Sequence, residues 1–508
     1  MTMQKSYLKN AAILTATGLV LRMAGMFFRV YIAGQIGAEG MGVYQLIFTV
    51  YSLAITLATA GLSIVTTRIV AGFLASHAQS EVQSAMRRLL FLGLCTGFCA
   101  GSGLFFAAKP AALYWLHDAR AILPLQILAP SLPFMAASAI LRGYFMARRE
   151  VAPNARAQIF EQILRIVLVA ALLSRLGSDD IAVACVAVVC GNTVSEAFSW
   201  FYMHLCYHRD LRTLPPAKPA RPLATLLCTL LTPIVASQYV TGVLHTIENV
   251  LVPSCLALFL ASRDTALAQY GALKAMAMPV LFFPFSFLGT LTTLLLPEIT
   301  AAYIQKNMPR LHRLIHRVLL VSLTMSGLAA MLFTIFSNEI GMLLYHSPEI
   351  GFYLRVLGPL TPLMYLESMV DGILKGLDEQ ISTFRYTVVD SILRIILIAL
   401  LLPRFGMKGF LLIMVLSNLF TSLLNLQHLL QVVHLQFAWK NWLFKPLFAA
   451  FCGGITCRFV LAPFFQNRLS MAVWTLLAAL VCSGVYLLCL ILTDCISLPQ
   501  WRKNADRL

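Results

Sequence analysis

Apolar runs of roughly 20 residues recur along the whole of this 508-residue chain, each long enough to cross a hydrocarbon core about 30 Å thick. Such runs leave few folds open. In lipid every backbone N–H and C=O has to be paired within the chain, which only helices and closed barrels achieve, and runs this long belong to helices. The composition agrees: 59% of residues are hydrophobic and 12% charged, with a mean hydropathy of +0.81, whereas soluble domains carry about one-quarter charged residues. Fourteen candidate spans fall near 11–33, 43–67, 88–108, 121–147, 157–176, 181–205, 225–252, 268–297, 314–337, 352–375, 385–402, 407–432, 441–462 and 471–493. The expected fold class is an all-α polytopic membrane protein. The first run is too long, and too interrupted by arginine, to read as a cleaved signal peptide.

A net charge of +17 invites a nucleic-acid partner, but the positions of the cations give it another origin. With the N-terminus in the cytoplasm, the inward loops and tails hold about three times as many Lys and Arg as the outward loops. That bias places both termini in the cytoplasm and calls for no nucleic acid. The 12 cysteines form no C-x-x-C pair and have no His at ligand spacing, so they read as small packing residues rather than a metal site or disulfide framework.

The chain repeats itself. RAQIFEQILRIVLVAALL begins at Arg156 and RYTVVDSILRIILIALLL at Arg385; Arg156, Glu161 and Arg165 match Arg385, Asp390 and Arg394 at one spacing of 229 residues. ILRG at 140–143 matches ILKG at 373–376 at a spacing of 233, and Ala71–Phe73 matches Ala301–Tyr303 at 230. A steady internal spacing marks a duplicated transporter fold, and six crossings per copy make the copies parallel. The expected organisation is a six-helix lobe at 1–207, a basic, proline-rich cytoplasmic linker at 208–224, a second six-helix lobe at 225–436, and two further helices with a cytoplasmic tail at 437–508.

Six cations remain outside that loop tally, within spans: Arg22, Arg29, Arg165, Lys274, Arg355 and Arg394. Each costs about 2.5–3.5 kcal/mol on insertion scales and therefore faces protein or a wet cavity. Helical positions seven apart share a face, roughly 10.5 Å apart along the axis. Thr15, Gly18, Arg22, Gly25 and Arg29 make such a stripe, with small residues leaving room beside two guanidinium groups suited to phosphate oxygens. The competing reading has Arg29 snorkelling to an interface and Arg22 pairing with an acid. Lys274 opens the eighth span, where snorkelling is again the alternative. In the seventh, GVLHTIENVLVP puts Glu248 in an apolar run, to hold a coupling cation or proton or to pair with Arg22 or Lys274. Glu161/Arg165 and Asp390/Arg394 have the spacing of ion pairs within a helix; Asp390 and Asn418 are further candidates for a coupling ion.

The run from Gly18 closely resembles the stage V sporulation protein B-like polysaccharide exporters of the multidrug/oligosaccharidyl-lipid/polysaccharide superfamily. The resemblance is specific at R-x-x-G-x-x-x-R (Arg22, Gly25, Arg29) and I-G-A-E-G-x-G-x-Y-Q (Ile36 to Gly40, Gly42, Tyr44, Gln45), with LLLPEITAAY at 294–303 a second landmark. It implies a flippase for a polyprenyl-diphosphate-linked sugar in the bacterial cytoplasmic membrane, working as a monomer among membrane lipids by alternating access around a central cavity. It implies that Arg22, Arg29 and Lys274 bind the diphosphate. Two departures stand out: around Val43 to Gln45 there is no counterpart of the acid that related lipid II flippases carry there, nor of their second-span arginine.

No cofactor is expected beyond a coupling Na⁺ or H⁺, and no Walker-type motif points to ATP. The alternative within the superfamily is a cation-coupled multidrug or small-molecule antiporter, which favours acids and aromatics in its cavity. A membrane-embedded glycosyl polymerase would need a sizeable outward loop, and the polar groups of these short loops (His117, Asp118, Asp179, Asp180, His346) are scattered. The glycines Gly37 and Gly40 read as a helix-ending turn between the first two spans.

Overall fold

The computed structural model describes residues 2–76, 79–176, 180–212, 224–461 and 470–495; over these the chain is helical, with no strand. The linker positions 213–223, Asp179 and the tail from 496 lie outside the described residues. The helices are α1 (Thr2–Thr59), α2 (Leu62–Ala75), α3 (Gln79–Pro110), α4 (Ile122–Leu128), α5 (Ser131–Ala147), α6 (Val151–Leu176), α7 (Ile181–Leu211), α8 (Ala224–Leu260), α9 (Arg263–Tyr270), α10 (Met278–Phe282), α11 (Phe285–Ile304), α12 (Met308–Ile335), α13 (Ser337–Tyr345), α14 (Pro348–Leu357), α15 (Thr361–Gly376), α16 (Gln380–Val433), α17 (Lys445–Ile455) and α18 (Met471–Leu492).

Every expected span lies on helix. Among the described residues seven helices are long and apolar enough to cross a membrane, or eight if α4 and α5, bent by 44° at their junction, form one span. That number is below fourteen partly because helices fuse. The turn expected at Gly37 and Gly40 is instead a kink inside α1, where Gly37 takes φ 69° and ψ −178°. A single residue of positive φ, at no steric cost to glycine, redirects the chain while the residues around it stay helical. Gly406 (φ 57°, ψ −143°) does the same inside α16, and the second span, expected to run to 67, is broken earlier, at the left-handed Gly61.

Side-chain oxygens of Asp118, Asp180 and Asn307 cap the helical turns that follow them, accepting from Arg120, Ala182 and Arg310 N–H groups at 2.9, 2.8 and 3.1 Å. Phe91, Phe98 and Phe106, at helical spacing on α3, are 68–78% exposed; in a bilayer such a stripe meets acyl chains.

The chain forms two compact units, Met1–Ala275 with Ser391–Gly406, and Met276–Asp390 with Met407–Leu508. In the first, α1 and α9 meet backbone to backbone: Gly42 lies against the Leu267 carbonyl and Gly271 against the Ala38 carbonyl, so neither position has room for a Cβ. Such close approach between small residues is how helices gain packing in lipid, where burying apolar surface gains little. The Thr67 hydroxyl donates to the Gly143 carbonyl at 3.1 Å. In the second unit Thr300 donates to Gly376 at 2.9 Å, the same bond 233 residues on. The C-terminal helix pair packs on α12 there, through Met331, Trp474, Cys482 and Leu490, and the Tyr486 hydroxyl donates to the Thr324 carbonyl at 2.8 Å.

Candidate functional site: a buried charge cluster beside a polar cavity

Three of the charges singled out in the sequence meet in the first unit. Glu248, on α8, has a side chain only 2% exposed. Its Oε1 lies 3.1 Å from Arg394 Nη1, donated from the 391–406 stretch of α16. The Lys274 ammonium, just beyond α9, stands 3.6 Å from the same oxygen. His245, one turn earlier on α8, places Nδ1 3.8 Å from Oε2. One carboxylate thus faces both an arginine and a lysine. A carboxylate so engaged is a poor ligand for a further metal cation. Among the described residues no three His, Cys, Asp or Glu side chains gather as a metal site, and the described cysteines are free thiols.

Beside this cluster, between the 49–56 stretch of α1 and the 238–249 stretch of α8, is a cavity of 310 Å³. Ser52, Thr56, Gln238, Thr241, His245 and Asn249 line it. His245 is shared: it borders the cavity and faces Glu248. Hydroxyls, amides and the His245 imidazole make up the polar part of the wall beside Leu53 and Gly242, and no acid lines it.

Arg22 is exposed and Arg29 half-buried, and neither has a hydrogen bond or ion pair with any described residue. A Cβ placed at Gly18 or Gly25 would meet nothing within 4 Å, so the stripe they share with the arginines is open. No bond joins Arg22 or Arg29 to the Glu248 cluster.

Glu161 and Arg165 form an ion pair within α6 at 2.6 Å. Arg142, an inward-loop residue by sequence, reaches Glu161 at 3.3 Å, and Glu196 on α7 stands 3.4 Å from Arg165. Sequence reasoning misses Glu196; a lone acid inside the apolar run from Ile181 was the available signal. The result is a charge-balanced knot of two acids and two arginines, the arrangement of a structural tie. Arg394, at the matching sequence position, reaches Glu248. In the second unit Asp390, 2% exposed, accepts from the Ser417 hydroxyl at 2.6 Å, and the neighbouring Asn418 donates to the Met414 carbonyl at 2.7 Å. Arg355 donates to the Ser337 hydroxyl at 3.2 Å.

Of the outward-loop groups, Asp118 enters an ion-pair cluster. Arg120 bridges Glu39 at 2.6 Å, Asp118 at 2.9 Å and Asp264 at 3.5 Å, and Arg263 donates to the Leu116 carbonyl. The hydrogen bond that Arg120 donates to Asp118 is the largest influence raising its guanidinium above the usual range.

A family model described as "Polysaccharide biosynthesis protein" matches residues 7–285, and one described as MatE matches 257–400. Stage V sporulation protein B of Bacillus subtilis (strain 168) is 26% identical over 462 residues, 89% of each chain. Sporulation protein YkvU of the same organism is 23% identical over 356 residues, 67% of this chain and 78% of its own. Among solved structures, lipid II flippase MurJ in an inward closed conformation superposes with a TM-score of 0.71 at 14% identity, over 94% of this chain and 98% of its own. An inward-facing MATE family multidrug resistance transporter gives 0.66 at 14%, over 83% and 98%. Matched by the first family model over more than half its length, the chain belongs to the polysaccharide biosynthesis protein family, within the multidrug/oligosaccharidyl-lipid/polysaccharide superfamily of membrane transporters.

Proposed function

We propose that this protein is a flippase that moves a polyprenyl-diphosphate-linked sugar, an oligosaccharide or peptidoglycan precursor, across the cytoplasmic membrane by alternating access. The observation that carries the reading is Arg22: a permanent cation on a membrane-spanning helix, exposed, unpaired among the described residues and flanked by open glycine positions. A charge kept there at about 2.5–3.5 kcal/mol serves a ligand of opposite sign, and a guanidinium fork suits a diphosphate. Arg29 extends the same face. Lys274 and Arg394 supply two further cations, held by Glu248 while no substrate is present; an arriving diphosphate competes with that carboxylate for them. The relatives named as sporulation proteins and the likeness to a lipid II flippase support this direction.

The antiporter alternative gains little from the cavity, whose wall carries no acid and, besides the His245 imidazole, no aromatic ring. Coupling to Na⁺ or H⁺ belongs to the proposal, with Glu248, Asp390 and Asn418 as the candidate residues, the first of them held by side-chain cations. The protein is read as a monomer with both termini cytoplasmic, built from two six-helix copies and a C-terminal pair.

The test is transport of a fluorescent polyprenyl-diphosphate sugar in proteoliposomes. Arg22→Ala is expected to lower the rate at least tenfold while its reconstitution and thermal unfolding match the parent, since no described contact is lost. A fully active Arg22→Ala protein removes the diphosphate site from this face.

A further inference from the structure

The cavity beside the charge cluster has a chemistry of its own. The hydroxyls of Ser52, Thr56, Thr241 and Thr246 donate to carbonyls of their own helices at 2.8–3.0 Å. Their hydrogens are thereby spent inside the helices, and their lone pairs are left as acceptors. The side-chain amides of Gln238 and Asn249 have no hydrogen bond to any described residue, so each adds two N–H donors and an acceptor. His245 adds a ring nitrogen. Donors and acceptors alternate around 310 Å³, the lower end of the range for small-molecule sites, and no formal charge lines the space.

Each candidate occupant meets that wall differently. An acyl tail would leave the amides unpaired, at about 1–3 kcal/mol for each buried group. A cationic drug finds no carboxylate. An anion is drawn to Arg22, Lys274 and Arg394 instead. A neutral ring with many hydroxyl or amide substituents satisfies both kinds of group at once.

We propose that this cavity is a saccharide subsite, holding one sugar ring of the lipid-linked substrate while the cations hold its diphosphate. The inference rests on the flippase reading and assigns the recognition of the sugar to residues separate from those that take the charge.

The experiment uses the full chain in detergent with two probes: a polyprenyl diphosphate, and the same lipid bearing one N-acetylhexosamine. Affinities are read by native mass spectrometry. The parent protein is expected to bind the sugar-bearing lipid about tenfold more tightly, a difference of about 1.4 kcal/mol. Thr241→Val, which keeps the shape of the side chain, and the pair Gln238→Leu/Asn249→Leu are expected to bind the two lipids alike. Free N-acetylhexosamine should compete only at far higher concentration, because the tethered ring enjoys a raised effective concentration.

Equal affinity of the parent for both lipids overturns the subsite and leaves the flippase reading standing. A sugar preference that survives all these substitutions also overturns it, by placing sugar recognition elsewhere. Binding of neither lipid sinks the flippase reading and the subsite together. Competition by the free sugar as strong as by the lipid-linked one overturns the assignment to a lipid-linked substrate.

Discussion

Replacing Glu248 by Gln keeps the shape of the side chain and removes only its charge. The oxygen that faces Arg394 at 3.1 Å and Lys274 at 3.6 Å becomes a neutral amide, leaving two cations opposed with little water: their side chains are 22% and 17% exposed. Removing one partner of a buried ion pair costs about 3–5 kcal/mol. Residual exposure of the two cations puts the expected loss near the lower end, about 3 kcal/mol. Lys274→Met should cost less, because Glu248 keeps Arg394. The double variant should be more stable than the sum of the single effects predicts, by at least about 1 kcal/mol, as for groups in one network.

The same substitution tests the displacement step. With Glu248 neutral the two cations lose this carboxylate, so inorganic diphosphate should stabilise Glu248→Gln more than the parent. A site saturated at one hundred times its Kd adds about 2.7 kcal/mol. Unfolding in mixed micelles titrated with SDS, followed by tryptophan fluorescence with and without diphosphate, reads both effects. If Glu248→Gln lies within about 0.5 kcal/mol of the parent, the carboxylate does not neutralise these cations. Equal stabilisation of parent and variant by diphosphate would show that Glu248 does not compete with the ligand.

Gly37→Ala should destabilise by about 1–2 kcal/mol, because the positive φ strains any L side chain although the space there is open; Gly18→Ala, equally open but of ordinary helical φ, should be neutral or stabilising by up to about 1 kcal/mol, and the same SDS titration compares them. Arg120→Met strands the buried Asp118 carboxylate and should cost about 1–3 kcal/mol, toward the lower end because Arg120 is 29% exposed; high salt should narrow the difference between variant and parent. Hydrogen bonds from Ser382 and then His428 hold the Glu379 carboxyl below its usual range. Its contribution is therefore full above the unfolded carboxylate pKa of about 4.3 and lost as pH falls through the lower folded value. A Glu379→Gln protein should differ from its parent at neutral pH and converge with it in acid, as followed by unfolding against pH.

What the sequence reveals depends on how local the cause is. A span is written in about 20 consecutive residues, so helix positions were legible throughout. The kink at Gly37 was legible only as a glycine: turn and kink both use a residue of positive φ, and the choice between them lies in the neighbours' packing. Glu161 and Arg165 pair over one helical turn, so their bond could be read directly. Glu248 and Arg394 are 146 residues apart, and nothing local tells an arginine which distant acid it meets. The cavity was illegible for the same reason, since its two walls, 49–56 and 238–249, acquire meaning only when α1 and α8 lie side by side.

The duplication sharpens the point about charge. Arg165 and Arg394 occupy matching places in the two copies, yet their surroundings differ in kind. Arg165 sits in a balanced knot with Glu161, Glu196 and Arg142, where every charge has an opposite and breaking any contact leaves a buried ion behind. Arg394 reaches Glu248 on α8, and Lys274 faces the same carboxylate, so one acid serves two cations that lie far apart in sequence. A diphosphate offers those cations oxygens of the same kind and can compete with the carboxylate for them. The shared acid lies beside the cavity between α1 and α8, which places the pull on a diphosphate next to the groups suited to its sugar.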